Sequence, residues 1–188
     1  VSNFIPEIEK RKSRRALGTK KIPSAIIERL MTAAALAPSC FNNQPWRFVV
    51  VHEEPVLRKV KAALSAGNYW AKRVPLIIAV CTKRDLDCTP PDGREYALFD
   101  TGLAAENCML QAVKEGLVAH AIAGFHQAEV KKTLSIPEEY TVIALLIVGY
   151  SGDPSILNEK HRQAEDAERD RKPPSQVIMY NGWSKKSD

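Results

Sequence analysis

Seven basic residues and no acidic one fall between Lys10 and Lys21. Within that tract Arg11, Ser13 and Arg15 occupy alternate positions, so an extended chain points all three side chains one way, whereas a helix pairs only Arg11 with Arg15. Either geometry brings two guanidiniums together, and each presents a planar fork of donors matched to phosphate oxygens. The tract reads as a phosphate clamp or as a solvated basic segment. A second concentration of chemistry is A-P-S-C-F-N-N-Q-P-W, residues 37–46, where a hydroxyl and three amides lie between two prolines. Asn and Gln carry donor and acceptor on one side chain, as recognition of a heteroaromatic edge with alternating C=O and N–H groups requires. The same residue types also build a polar turn that bonds its own backbone.

Other chemistries find little footing. No G-x-G-x-x-G follows a strand and no G-x-x-x-x-G-K-[ST] occurs, which argues against dinucleotide and P-loop sites of the usual kind. There is no G-x-S-x-G elbow and no H-E-x-x-H, and the histidines at 52, 120, 126 and 161 lack metal-ligand spacing. His52, at a strand end, and His161, in a charged tract, read as surface residues. The four cysteines, at 40, 81, 88 and 108, form no C-x-x-C pair. They are expected as free thiols in a reducing compartment, with no metal site. Nucleic-acid binding through the basic tract is disfavoured, because no nucleic-acid module is recognisable and no aromatics interleave with the cations.

These residues need a scaffold, and 188 residues make one compact unit, or one plus a short arm. A composition of 45% hydrophobic and 26% charged residues supports a real core, and a net charge of +5 gives a mild preference for anions. No uncharged run reaches the length of a membrane span, and charges stand in the first fifteen residues where an export signal needs apolar ones. A cytoplasmic setting is the default expectation. Ile26, Ile27, Leu30, Met31 and Ala34 repeat at helical spacing from Ser24 until Pro38 stops the pattern. Residues 47–52 and 75–82 read as buried strands, with a helix opening at Pro55 between them and a loop over 85–93. From Glu95 to Glu115 small and apolar residues surround most of the circumference, which predicts a helix buried on several sides. Gly102, Ala104 and Ala105 would admit another backbone, so this is the expected central helix and a candidate subunit contact. Residues 128–134 predict a short helix and 141–150 the strongest strand. Beyond residue 157 a polar connector, 158–172, leads to an apolar extended arm, 173–183, which must be covered by its own domain or by a neighbouring subunit.

Taken together, R-K-S-R-R, A-P-S-C-F-N-N-Q-P-W-R-F, G-L-V-A-H-A-I-A-G-F and R-K-P-P-S-Q-V-I-M-Y-N-G-W, in that order over nearly the whole chain, resemble the FMN-dependent nitroreductase family. The resemblance implies an α+β fold, a mainly antiparallel central sheet flanked by helices, working as an intertwined homodimer with FMN at the interface. Residues 1–157 would form the FMN-binding domain, and 158–188 the connector and an arm packing on the partner. Arg11 and Ser13 would bind the ribityl phosphate and Arg15 the pyrimidine edge of the ring. Pro38, Ser39, Cys40 and Asn42 of the other subunit would pack on the flavin. Asn68 would bond the polar edge of the isoalloxazine, Ile122, Ala123 and Gly124 would lie over the reactive ring, and Arg169 and Arg171 would complete the phosphate site. The implied activity is NAD(P)H oxidation coupled to reduction of nitroaromatics, quinones or similar flat electrophiles in ping-pong order, with no side-chain nucleophile, general base or metal. NADH and NADPH are equally compatible as donor, and a flavin-binding sensor or carrier without turnover is the alternative. Three departures stand out: Cys40 where Ser is frequent, Ala123 where some members carry an acid, and Val118-Ala119-His120 in place of a Gly-rich stretch.

Overall fold

The computed structural model describes residues 3–183. In chain order the elements are α1 (Pro6–Lys10), α2 (Ser24–Ala35), β1 (Arg47–Val51), α3 (Val56–Ala62), β2 (Leu76–Thr82), α4 (Tyr96–Lys114), β3 (Val118–Ile122), α5 (Gln127–Leu134), β4 (Thr141–Gly149), α6 (Glu159–Asp166) and α7 (Pro174–Val177). A 3-10 segment, Ala66–Arg73, leads into β2. The strands pair antiparallel throughout, in the order β1-β2-β4-β3. An α+β architecture around an antiparallel sheet is therefore what the chain adopts. β2 is buried along its whole length, as L-I-I-A-V-C-T in the sheet interior should be.

Alternation along the strands divides the core into two layers. Ile77, Ala79, Leu145 and Ile147 face Leu57 and Val60 of α3, Val130 of α5 and the Trp70 ring. Leu76, Ile78, Leu146 and Val148 face Ile27, Leu30 and Ala34 of α2 with Cys108 and Ala112 of α4. Helices thus cover both faces, and β1 and β3 form the sheet's two edges. No helix among the described residues is long and apolar enough to cross a membrane.

The periodic elements agree with expectation to within a residue or two, while four points differ. First, α4 buries one stripe, Ala97, Asp100, Thr101, Ala104, Cys108 and Ala112, rather than several sides, and Leu98 and Phe99 remain 47% and 62% exposed. Its sequence is more apolar than one chain uses. Second, the connector is not structureless: Asn158 caps α6 by accepting the His161 N–H at 2.9 Å. Third, the arm is interrupted by the short turn of α7, and Val177, Ile178, Tyr180 and Trp183 are exposed. The end of that arm, residues 184–188, lies outside the described residues. Fourth, Cys40 and Cys88 are not free thiols but a disulfide between loops 48 residues apart. Sequence spacing was silent on this, because the loops meet only once α2, β2 and α4 are packed. Cys81 and Cys108 are free and buried as expected.

Candidate functional site

The basic tract follows α1 as an irregular segment, with tight turns closed by Arg14 N–H to Lys12 O and Leu17 N–H to Arg15 O, both 2.9 Å, and the end of β4 holds it in place. Gly18 N–H donates to Tyr150 O at 2.8 Å, Gly152 N–H donates to Ala16 O at 2.7 Å, and Leu17 forms an isolated bridge with Ser151. Leu17 is completely buried, so the tract is anchored by an apolar side chain while its cations stay near the surface. Arg11 Nη1 donates to Ser13 Oγ at 3.2 Å. Glu165 of α6 reaches the tract: it accepts from the Arg15 backbone N–H and lies 3.7 Å from Arg14 Nη1. Neither Arg11 nor Arg15 has an ion pair among the described residues. Half-buried guanidiniums of this kind are donors suited to a phosphate.

Beneath the tract, the His120 ring stacks on Trp70 at 4.8 Å between centroids, and its Nδ1 lies 3.0 Å from Arg14 O. A carbonyl only accepts, so Nδ1 carries the proton and Nε2 is the free lone pair of the neutral ring. Burial holds His120 below the usual histidine range, aided by the charges of Arg15 and Arg11 and opposed by the bond to Arg14 O and by Glu165. The unfolded chain therefore binds a proton on His120 more readily than the folded one, and stability falls as pH drops through about 6.5. His120→Asn should flatten that part of the profile, measured as Tm against pH from 5 to 8; an unaltered acid limb would remove His120 as its cause.

Next to this ring, Asn68 on the Ala66–Arg73 segment donates from Nδ2 to Gly124 O at 2.8 Å, and Ser65 N–H donates to the same oxygen at 3.0 Å. Leu64 and Phe125 form the adjoining bridge. A Cβ at residue 124 would stand 2.5 Å from Asn68 Nδ2, so a side chain here would push the amide out of its present position. Asn68 keeps one N–H and its carbonyl for a ligand. Ile122 is buried at the end of β3, whereas Ala123 and the half-buried Gly124 present backbone to the surface.

The C-terminal arginines do not stand open beside the clamp. Arg169 donates to the carbonyls of Ile8, Glu9 (at 2.7 Å) and Arg11, binding the connector to the N-terminal segment, and Arg171 donates to Asp170 O at 2.6 Å. Opposite ends of the chain thus meet here, with Arg169 holding the clamp's backbone.

The loop carrying Pro38, Ser39, Cys40 and Asn42 is elsewhere. It feeds β1 at the other edge of the sheet, three strand spacings or about 14 Å from β3. Arg47 is level with Cys81 of β2 and Val142 at the start of β4, whereas the basic tract is anchored past the end of β4, about 30 Å further along. Much of the loop's polarity is used internally. Ser39 Oγ accepts from Gln44 N–H at 2.9 Å, Gln44 Nε2 donates to Asn42 O at 3.0 Å, and Asn43 Nδ2 donates to Asp87 Oδ1 at 3.2 Å. The Cys40 sulfur, being in the disulfide, cannot donate a hydrogen bond as Ser would. Sequence reasoning missed His120 as a partner of Arg14, the Trp70 stack and Glu165. Each contact joins residues 50 to 150 positions apart, beyond any local pattern.

The chain thus carries a basic tract whose Arg11 and Arg15 have no ion pair among the described residues, an amide bonded to a glycine loop, and a second polar loop leading into the opposite edge of the sheet. Known proteins resemble it in sequence and fold. The Nitroreductase family profile matches residues 8–150, from α1 to the Tyr150 carbonyl that anchors the tract. A putative NADH dehydrogenase/NAD(P)H nitroreductase of Archaeoglobus fulgidus is 31% identical, covering 76% of this chain and 82% of its own. Iodotyrosine deiodinase 1 of Mus musculus is 34% identical over 87% of this chain and 67% of its own. A solved oxidoreductase containing FMN superposes with a TM-score of 0.86 at 28% identity, over 98% of this chain and 96% of that one. With the profile spanning the tract, Asn68, the glycine loop and the whole sheet that separates them from the 38–42 loop, the chain belongs to the nitroreductase family.

Proposed function

We propose that the chain is an FMN-dependent NAD(P)H oxidoreductase that reduces flat electrophiles such as nitroaromatics and quinones, and that it works as a homodimer with two shared sites. The observation that carries this reading is the pair of guanidiniums, Arg11 and Arg15, half-buried and without an ion pair among the described residues. The donor set fits FMN: cations and the Ser13 hydroxyl for a phosphate, and an amide plus exposed backbone for the polar edge of a ring. Arg11 and Ser13 hold the phosphate, Arg15 faces the pyrimidine edge, Asn68 bonds that edge, and Ile122, Ala123 and Gly124 pack over the ring. Arg169 keeps the clamp in register, with Arg171 next to it. Bound FMN supplies hydride and electron transfer between nicotinamide and acceptor, which use one cavity in turn. The protein's part is electrostatic and steric: the Arg15 cation favours negative charge on the pyrimidine side, and the backbone around Ala123 and Gly124 orients the ring without a titrating group.

Distance supports the homodimer. Pro38, Ser39, Cys40 and Asn42 lie far from the anchored basic tract of their own chain, and on this reading a second copy supplies them. The apolar surface left open at Leu36, Phe41, Leu98 and Phe99, and along the arm at Val177, Ile178, Tyr180 and Trp183, is what such a contact would cover. Residues 1–157 then form the flavin domain and 158–188 a connector and arm reaching the partner. An anaerobic titration of the FMN-loaded protein tests the activity. Excess NADH or NADPH should bleach the flavin band near ~450 nm, and a nitroaromatic or quinone should restore it. A yellow protein that neither nucleotide bleaches would be a flavin carrier, overturning the proposed turnover.

A further inference from the structure

Away from the clamp, the 38–44 loop, the loop following β2 and the first turns of α4 bring Cys40, Asp87, Cys88 and Asp100 together. The Sγ atoms of Cys40 and Cys88 and a carboxylate oxygen of Asp87 lie within 4.8 Å of one another. Cys40 N–H donates to Asp100 Oδ2 at 2.7 Å, and Cys88 N–H donates to Asp87 Oδ1 at 2.8 Å. Both carboxyls are buried, 2% and 7% exposed, and no N–H or hydroxyl of the described residues reaches Asp87 Oδ2. The Asp100 carboxyl is its neighbour, so two buried acids stand side by side behind the two sulfurs. Burial is the main cause that holds the Asp100 carboxyl above its usual range, with the Asp87 charge adding to it and the Cys40 N–H opposing it.

Access is confined to the same pair of sulfurs. Cys40 and Cys88 are half-buried beside a cavity of about 400 Å³ that also touches Thr89, Pro90 and Tyr96. Burial pushes the other two thiols, Cys81 and Cys108, up to about 11 and about 12, leaving neither as a nucleophile at neutral pH. The loop tied down by the bond is also unusual. Phe41, Asn42 and Gln44 have φ of 47°, 58° and 51°, in the left-handed region that non-glycine residues hold only where their surroundings impose it. The Phe41 side chain is 92% exposed, so its packing does not impose it. The tie to Cys88 and the bonds to Asp100 and Asp87 hold it from outside, and the Ser39–Gln44 and Gln44–Asn42 bonds from within.

We propose that Cys40 and Cys88 are a redox-active pair, opened and closed by exchange with a dithiol, and that its state sets the conformation of the 38–44 loop. A thiolate of the dithiol attacks Cys88 Sγ from the cavity, forming a mixed disulfide. The Cys40–Cys88 bond breaks, and its electron pair leaves on Cys40 Sγ, which takes a proton from water in the cavity. The second thiol of the dithiol gives its proton to solvent, closes its own disulfide and releases Cys88 as a thiolate, with Asn43 Nδ2 3.6 Å from that sulfur. One protein disulfide becomes two thiols and one dithiol becomes a disulfide. The effect on flavin binding rests on the shared-site reading; the exchange itself does not.

The test uses flavin-free protein equilibrated in air or with dithiothreitol, alkylated under native conditions and weighed, and in parallel digested briefly with chymotrypsin. Air-equilibrated protein should take no alkyl group, and reduced protein two, at Cys40 and Cys88. Reduction should raise cleavage after Phe41 about tenfold, since proteolysis follows the population of the opened loop. Cys88→Ser should be cleaved at the reduced rate with or without dithiothreitol. Native alkylation of Cys40 and Cys88 in air, or cleavage after Phe41 indifferent to reduction, overturns the proposal. Failure of the protein to bind FMN would count against the proposed function alone, because neither readout involves flavin.

Discussion

Protein carrying Arg11→Ala and Arg15→Ala together should purify colourless and should bind added FMN at least about 100-fold more weakly than the parent. A hydrogen bond to a charged group contributes on the order of 1.5–3 kcal/mol, and two such groups account for about 3–6 kcal/mol, or two to four powers of ten in affinity. The fold should survive, because neither guanidinium is in an ion pair and the Arg15 contact with Glu165 is made by its backbone N–H, which alanine keeps. Losses from two exposed or half-exposed cations are of order 0.5 kcal/mol each. Flavin fluorescence quenching measures the affinity, and thermal unfolding of both flavin-free proteins separates it from stability. Full flavin content in the double variant would mean that the phosphate is held elsewhere. Arg14→Ala makes the useful contrast: it releases Glu165, a buried acid, so it should weaken the fold more than it weakens a phosphate contact.

That contrast marks where the sequence is informative. Arg11 and Arg15 were visible as candidates because residues two apart in an extended chain point the same way, a property of the backbone alone. The strong elements were visible for a similar reason: α2 repeats its apolar residues every three to four positions, and β2 and β4 are nearly uninterrupted apolar runs. β3 was harder to see. Val118-Ala119-His120-Ala121-Ile122 has two alanines and a histidine, weak strand formers, and becomes a strand by pairing with the neighbouring, strongly apolar β4. α6 lacks an apolar stripe altogether; its Asn158 cap and the docking of Glu165 on the basic tract fix it instead. α4 misled in the opposite direction, since its sequence carries apolar surface for contacts that a single chain does not make.

The site shows the same division. Asn68 and the 122–124 loop could be nominated from resemblance, but what sets their relation is a carbonyl of Gly124 that accepts from two donors 56 and 59 residues away in sequence. Arg169 was nominated as a phosphate ligand by the resemblance, and its partners within the chain are three backbone carbonyls of the N-terminal segment. A carbonyl is present at every residue, so sequence cannot show which ones fold will leave unpaired. The disulfide was illegible for a different reason. Four cysteines without short spacing allow several pairings or none, and the choice falls to the packing of α2 and α4 against β2.

The largest stability effect is expected at Gly152, where the basic tract is fastened to the sheet. A Cβ placed there stands 2.7 Å from both Leu17 C and Gly18 N, which are main-chain atoms that no rotamer change can move aside. Gly152→Ala must therefore separate the two backbones, losing the bonds Gly152 N–H to Ala16 O and Gly18 N–H to Tyr150 O and lifting Leu17 from full burial. Two hydrogen bonds at about 1 kcal/mol each, with about 1–3 kcal/mol for overpacking, give a loss near 4 kcal/mol. For a chain of this size that lowers Tm by roughly 8–16 °C at about 2–4 °C per kcal/mol. Because Arg15 precedes the displaced Ala16, FMN affinity should fall together with Tm, a coupling that substitution of the arginines themselves does not produce. Gly18→Ala controls for the mutation type: its Cβ would meet only Tyr150 O and Ser151 O, at 3.7 and 3.8 Å, ordinary contacts. Its Tm should stay within about 2 °C of the parent. If both alanine variants melted alike, the crossing of residues 16–18 with 150–152 would not be what holds the basic tract in place.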